Sequence, residues 1–208
     1  MNIKIGKVGA AGMVACEALF AGAMVIDLVS EYKTTYFSYF ICILLPIAYI
    51  MLSSALAVSC KDKRVTAAGI AGVAFAVVYA VLVCLVYYSM VTTVRTNSDL
   101  SGEALSIISF ERLGSLFFNY DMLGYGFMGL STFFIGFTIH PRDKGDRALR
   151  NLLWIHGVFF LTGLIMPLFP LFTPETPGGD VIGTAVLLVW CAYIIPTCAL
   201  GYRYFRKN

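Results

Sequence analysis

Charge is scarce in this sequence. Asp, Glu, Lys and Arg make up 13% of the 208 residues, against about 25% in ordinary soluble domains, which excludes a solvated surface of the usual extent. Histidine is scarcer still, with only His140 and His156. The two cannot form an H-E-x-x-H zinc helix, and no intramembrane pair is available to hold a haem between helices. Six cysteines are present, but none forms a C-x-x-C pair, which argues against a zinc site and a disulfide scaffold. The P-loop and the G-x-S-x-G elbow are also missing, so any energy source is an ion gradient or a partner protein, and no cofactor is indicated.

Apolar residues fill the space that charge leaves. They reach 59% of the chain, with a mean hydropathy of +0.82, and the expected fold class is therefore all-α, a polytopic membrane protein. Runs long enough to cross a hydrocarbon core of about 30 Å lie near 8–29, 38–60, 65–93, 115–139, 151–173 and 181–202. They predict a bundle of six transmembrane helices in a single transmembrane domain, 1–208. The first run is as long as a spanning helix, so it is expected to be retained and not cleaved as a signal peptide. The segment 101–113, SGEALSIISFERL, predicts a short helix on the outer membrane surface. It would turn Ala104, Leu105 and Ile108 to one side and Glu111 and Arg112 toward water.

The distribution of Lys and Arg predicts the orientation, because these residues collect on the cytoplasmic side of short connectors. Twelve fall on one side: Lys4, Lys7, Lys61, Lys63, Arg64, Arg142, Lys144, Arg147, Arg150, Arg203, Arg206 and Lys207. Three, Lys33, Arg95 and Arg112, fall on the other. Both termini are then cytoplasmic. The net charge of +3 follows from topology and requires no nucleic-acid partner; the basic rim is expected to meet anionic lipid headgroups. The expected location is a bacterial cytoplasmic membrane.

Gly124, Gly126 and Gly129 have the G-x-G-x-x-G spacing of a dinucleotide-binding loop, but no strand precedes them, and the fingerprint has meaning only inside a βαβ unit. In a membrane helix, small residues three, four or seven apart let a neighbouring backbone approach. Close helix packing is the better reading. Gly129 with Gly136, Ala68–Gly72–Ala76 and Ala11–Ala15–Ala18–Gly22 form similar seams.

Three ionisable residues inside spans are the candidate site, because such groups cost a few kcal/mol in lipid and normally face a cavity or a partner. Asp121 lies about 9 Å outward of its span's centre at 1.5 Å per residue. Helical spacing puts Phe117, Gly124, Tyr125, Met128 and Thr132 on its face, aligning an acid, a phenol and a hydroxyl. Either this face lines an outward pocket or Asp121 pairs with Arg112 or its neighbours Asn119 and Tyr120. Glu17 falls near the middle of the first span, among Met13, Phe20, Ala21 and Met24. A neutral, hydrogen-bonded acid is the default expectation, and a proton-carrying or cation-binding carboxylate the sharper one. His156, on the fifth span, is a candidate partner for Glu17, as are carbonyls freed by Pro46, Pro167 and Pro196. Against that, a lone histidine is more often a packed, satisfied residue. The tryptophans and tyrosines read as interface anchors and core.

In size, span count and orientation the chain resembles the substrate-binding subunits of energy-coupling-factor vitamin transporters, and Ala11-x-x-x-Ala15 is similar to their small-residue first helix. The resemblance implies a transport subunit and assigns no residue a role. The functional expectation is a membrane protein that binds a small molecule or ion, a cation among them, in a cavity between helices, as transporter, transport subunit or sensor. Its candidate ligand-binding residues are Asp121, Tyr125, Glu17, His156 and Thr132. The alternatives are an interaction subunit packing against a partner membrane protein or another copy of itself, and a membrane-embedded enzyme.

Overall fold

The computed structural model describes residues 1–31, 33–60, 62–110, 112–169 and 179–207, the side chains of 179 and 180 excepted. Lys61, Glu111, Glu175, residues 170–173 of the expected fifth span and the Asp180 side chain lie outside this description. All regular structure among the described residues is helical: α1 (Asn2–Val29), α2 (Thr35–Ser59), α3 (Thr66–Ser89), α4 (Gly102–Ile108), α5 (Leu116–Gly136), α6 (Lys144–His156), α7 (Val158–Leu168) and α8 (Gly179–Arg206). Five helices are long and apolar enough to cross a membrane: α1, α2, α3 with its flanking turns, α6 and α7 taken together, and α8. An integral membrane protein is compatible with that count. At 21 residues α5 is also long enough, but Asn119, Asp121 and its glycines make it less apolar.

The helices form a ring in which each packs on its neighbours in the order α1, α2, α3, α5, α6 with α7, and α8, which returns to α1. Glycines set the tightest crossings. A β-carbon on Gly9 would lie 2.5 Å from the Leu52 amide nitrogen, and one on Gly163 would lie 2.6 Å from the Met122 carbonyl oxygen and 3.1 Å from the Gly126 Cα. At these points α1 meets α2 and α7 meets α5 backbone to backbone. The other G-x-G-x-x-G positions serve the same purpose: Gly124 faces Val83 of α3, while Gly129 lies under the His156 carbonyl and the Phe160 amide. On α3, Gly72 admits Ile135 and the Ser131 carbonyl.

The third seam turns the other way. Ala11, Ala15, Ala18 and Gly22 are all exposed on the outer face of α1. Glu17, Met13 and Ala10, on its opposite face, are buried.

Local signals explain the helix boundaries. Gly114 has φ +81°, a conformation glycine adopts without cost, and it releases the chain into Ser115, whose side chain accepts from the Phe118 amide and caps α5. Asp143 caps α6 in the same manner through the Asp146 amide. Ser101 caps α4 through the Ala104 amide. Ala104, Leu105 and Ile108 are half-buried and Arg112 is exposed, as expected. α4 ends at Ile108, because Phe110 turns inward against Tyr39, Tyr87 and Phe118.

The expected fifth span needs two corrections. It begins at Lys144, earlier than its apolar run, because the charged first turns of α6 extend the same helix beyond the apolar stretch. It also breaks at Gly157, where the Phe160 amide bonds to the Gly157 carbonyl. Pro167 sits inside α7 without ending it.

At one end of the ring, ion pairs fasten α6 to α8. Asp143 receives Arg203 at 3.2 Å and also Lys207. Arg142 pairs with buried Asp146 at 2.8 Å and lies over the Tyr204 ring, 4.6 Å from its centroid. Those contacts hold the Asp143 carboxyl well below the usual carboxylate range, Lys207 being the main cause and the Asp146 amide the next.

Candidate functional site

Buried polar groups of two kinds occupy the bundle interior. The first is closed. The Trp190 indole N–H of α8 donates to His156 Nε2 at 3.1 Å, so that nitrogen carries a lone pair and the hydrogen resides on Nδ1. Nδ1 then donates to Thr132 Oγ1 at 2.8 Å, and the Thr132 hydroxyl donates to the Gly129 carbonyl at 2.8 Å. Tyr193 stacks on the imidazole, with centroids 5.9 Å apart, and donates to the Leu152 carbonyl. Every polar atom in the chain has a partner, and α5, α6 and α8 are tied by it. A second closed chain joins α2, α5 and α3: Tyr49 donates to Ser131 at 2.8 Å, and Ser131 donates to the Gly72 carbonyl at 2.6 Å.

The other group is open. Glu17 is 0% exposed, and neither of its carboxyl oxygens has a hydrogen-bond partner; the Cys191 thiol of α8 is the side chain in range. Asp121 is 6% exposed, and its Oδ1 is likewise without a partner, with the Tyr87 hydroxyl of α3 in range. Between the two acids stand Cys42 and Tyr79, each within electrostatic reach of both. The Tyr79 hydroxyl is a third buried orphan. Aromatic rings enclose this centre: Tyr79 lies against Tyr125 at 5.3 Å and Tyr49 at 5.5 Å, Tyr87 against Tyr39 at 5.4 Å, and Tyr125 meets the Trp190 edge at 5.2 Å.

A buried polar atom without a partner costs roughly 1–3 kcal/mol, and more if charged. Two acids and a phenol are left so in one place, beside two chains that are fully satisfied. The site is enclosed. Two surface recesses, of about 560 Å³ beside Arg112 and Asn119 and about 250 Å³ beside Asp27, Lys33 and Thr184, reach neither acid.

The five expected site residues therefore divide. Asp121 and Glu17 belong to the open group, with half-buried Tyr125 at its edge; Thr132 and His156 belong to the closed chain. His156 does not meet Glu17, because both of its nitrogens are already engaged. Asp121 lies beyond the first turn of α5, and among the described residues no ion pair joins it to exposed Arg112. Tyr79, Tyr87, Cys42, Cys191 and Trp190 were not singled out from sequence. The available signal was a tyrosine near the middle of an apolar span, as at 49 and 79, far from any interface that would anchor it. Among the described residues no three His, Cys, Asp or Glu side chains converge on a metal position.

No protein-family model matches the chain, and no curated protein or solved structure matches it either.

Proposed function

We propose that this is an integral membrane protein that binds a small cation, or a solute rich in hydrogen-bond donors, between Glu17 and Asp121, in the role of a transporter or transport subunit. One observation carries the reading: both Glu17 oxygens, the Asp121 Oδ1 and the Tyr79 hydroxyl are buried without a hydrogen-bond partner. A cationic solute supplies the missing charge, and the surrounding phenol and indole rings add cation–π attraction. Access requires helices to part, and α7, which packs on α5 and only slightly on α6, is the least embedded helix of the ring.

In this reading the chain crosses the membrane six times, with α5 as the fourth span in chain order and both termini on the cytoplasmic side, in accordance with the twelve-to-three division of Lys and Arg. Cysteines placed at Lys144 and Glu175 then label from opposite faces; labelling from one face contradicts the six-span arrangement.

The test of function is a thermal-shift screen of purified protein with alkali cations, small amines and polyamines, because a ligand bound only by the folded state raises apparent stability by mass action. A concentration-dependent rise that Asp121→Asn abolishes supports the proposal. If no member of the panel shifts the protein, cationic recognition is wrong.

A second reading rests on the outward stripe Ala11–Ala15–Ala18–Gly22. Small residues on a lipid-facing side leave room for a foreign helix, which favours docking against another membrane protein or a second copy. Ala15→Leu then disrupts that association without altering solute binding.

A further inference from the structure

Five cysteines sit within helices: Cys16, Cys42, Cys191 and Cys198 are buried, and half-buried Cys84 faces the Ile43 carbonyl. Cys60 is placed differently. It is the residue on which α2 ends, it is half-exposed, and its Sγ lies 3.3 Å from His140 Nε2 on the connector that follows α5. Asp62 is within electrostatic reach of His140 and is held by Arg64 at 2.8 Å; the Tyr204 phenol of α8 is within electrostatic reach of Cys60. Thiol, imidazole and carboxylate are thus gathered at the ends of α2 and α5, on the basic side of the bundle. Neither His140 nor Cys60 contributes to the interior group.

We propose that Cys60 and His140 form a nucleophilic pair that accepts an acyl chain from a long-chain acyl thioester. The thiol is within hydrogen-bond range of its base, the arrangement that activates a weak nucleophile. In the reaction Sγ attacks the thioester carbonyl carbon while Nε2 takes the thiol proton. The new S–C bond forms, the bond to the leaving sulfur breaks, and the imidazolium returns its proton to the departing thiolate. No oxidant or reductant is needed.

Position selects the acyl donor. Cys60 lies where apolar helix gives way to exposed charge, the usual setting of S-acylated cysteines. Val58 on the last turn of α2 and Ile70 early in α3 are 61% and 67% exposed, offering an apolar surface along which a chain extends into lipid. Exposed Lys63 and Arg64 follow immediately, suited to the phosphates of a soluble thioester carrier.

The experiment incubates the purified full chain in detergent with palmitoyl-coenzyme A and follows intact mass. One palmitoyl adduct, reversed by neutral hydroxylamine, mapped to Cys60 and absent in Cys60→Ser, is expected. His140→Gln slows its formation on the order of a hundredfold, within the usual range for a positioned base, while Tm is unchanged because His140 is exposed; acetyl-coenzyme A reacts far more slowly than the long chain. Acylation of His140→Gln at the wild-type rate overturns the pair, and equal rates with acetyl-coenzyme A overturn the choice of donor. A wild-type Cys60 that iodoacetamide alkylates but palmitoyl-coenzyme A leaves unmodified overturns the whole proposal.

Discussion

The chain around His156 and the cluster around Glu17 and Asp121 adjoin, since Trp190 donates to the first and its edge meets Tyr125 of the second. In the first, each donor finds an acceptor and each helix is fixed by the next. In the second, both Glu17 oxygens, the Asp121 Oδ1 and the Tyr79 hydroxyl have no partner, and among the described residues no ion pair reaches either acid. A protein interior strongly penalises unfilled polar groups, and in the proposed function the second group is kept for a ligand. Polar residues that stabilise and polar residues that bind can be distinguished by whether their hydrogen bonds close.

That contrast orders the mutations. His156→Ala carries the largest expected effect, because it removes a buried ring and strands the Trp190 N–H, while the Thr132 hydroxyl keeps only its bond to the Gly129 carbonyl; a loss of roughly 3–5 kcal/mol is expected from combined cavity and unsatisfied-group terms, read as a fall in Tm in detergent. A loss under about 1 kcal/mol contradicts the closed-chain account. Gly163→Val comes next. Its side chain meets the Met122 carbonyl and the Gly126 backbone, which cannot yield cheaply, and overpacking of about 1–3 kcal/mol follows. Ser131→Ala breaks the Tyr49–Ser131–Gly72 chain and is expected to cost roughly 1–2 kcal/mol; here Tyr49→Phe with Ser131→Ala should be less than additive, which a double-mutant cycle checks.

These residues show how far the sequence could lead. Helices were legible wherever apolar runs were long, and the close packing of Gly129 and Gly72 followed from their spacing. Periodicity says which residues share a face but not where the face turns, so the α1 alanine stripe, read as a seam, lies on the outside. Charge hid the start of α6, whose Lys144–Arg150 turns have no apolar run to betray them and rely on the Asp143 cap. The site was half legible. Glu17 and Asp121 stand out because acids are rare in lipid, whereas Tyr79, Tyr87 and Cys42 join them only through contacts between helices distant in sequence. His156 stood out for the same reason as the acids, but Trp190 and Thr132 satisfy it.

The smallest expected effect lies at the basic end. Asp143 is held ionised by Lys207 and Arg203, so its folded pKa lies below the unfolded value of about 3.9. The unfolded chain therefore binds a proton first as pH falls. The stability from this contact is present above about pH 4 and lost below it. Asp143→Asn should lower Tm slightly at pH 7, where the contact is fully present, and flatten the dependence of Tm on pH below about 4, where the contact is lost in wild type as well; an unaltered acid limb contradicts the role assigned to Lys207.

The most direct measurement compares Tm with and without the best cation from the screen, for wild type, His156→Ala and the double variant Glu17→Gln with Asp121→Asn. The double variant keeps the shape of both acids and removes their ability to ionise. If the open group serves a ligand, its Tm without ligand equals or exceeds that of wild type and its ligand-induced rise disappears, while His156→Ala melts far lower. A double variant that melts as low as His156→Ala, yet retains the wild-type rise with ligand, would show that Glu17 and Asp121 hold the bundle together and bind nothing.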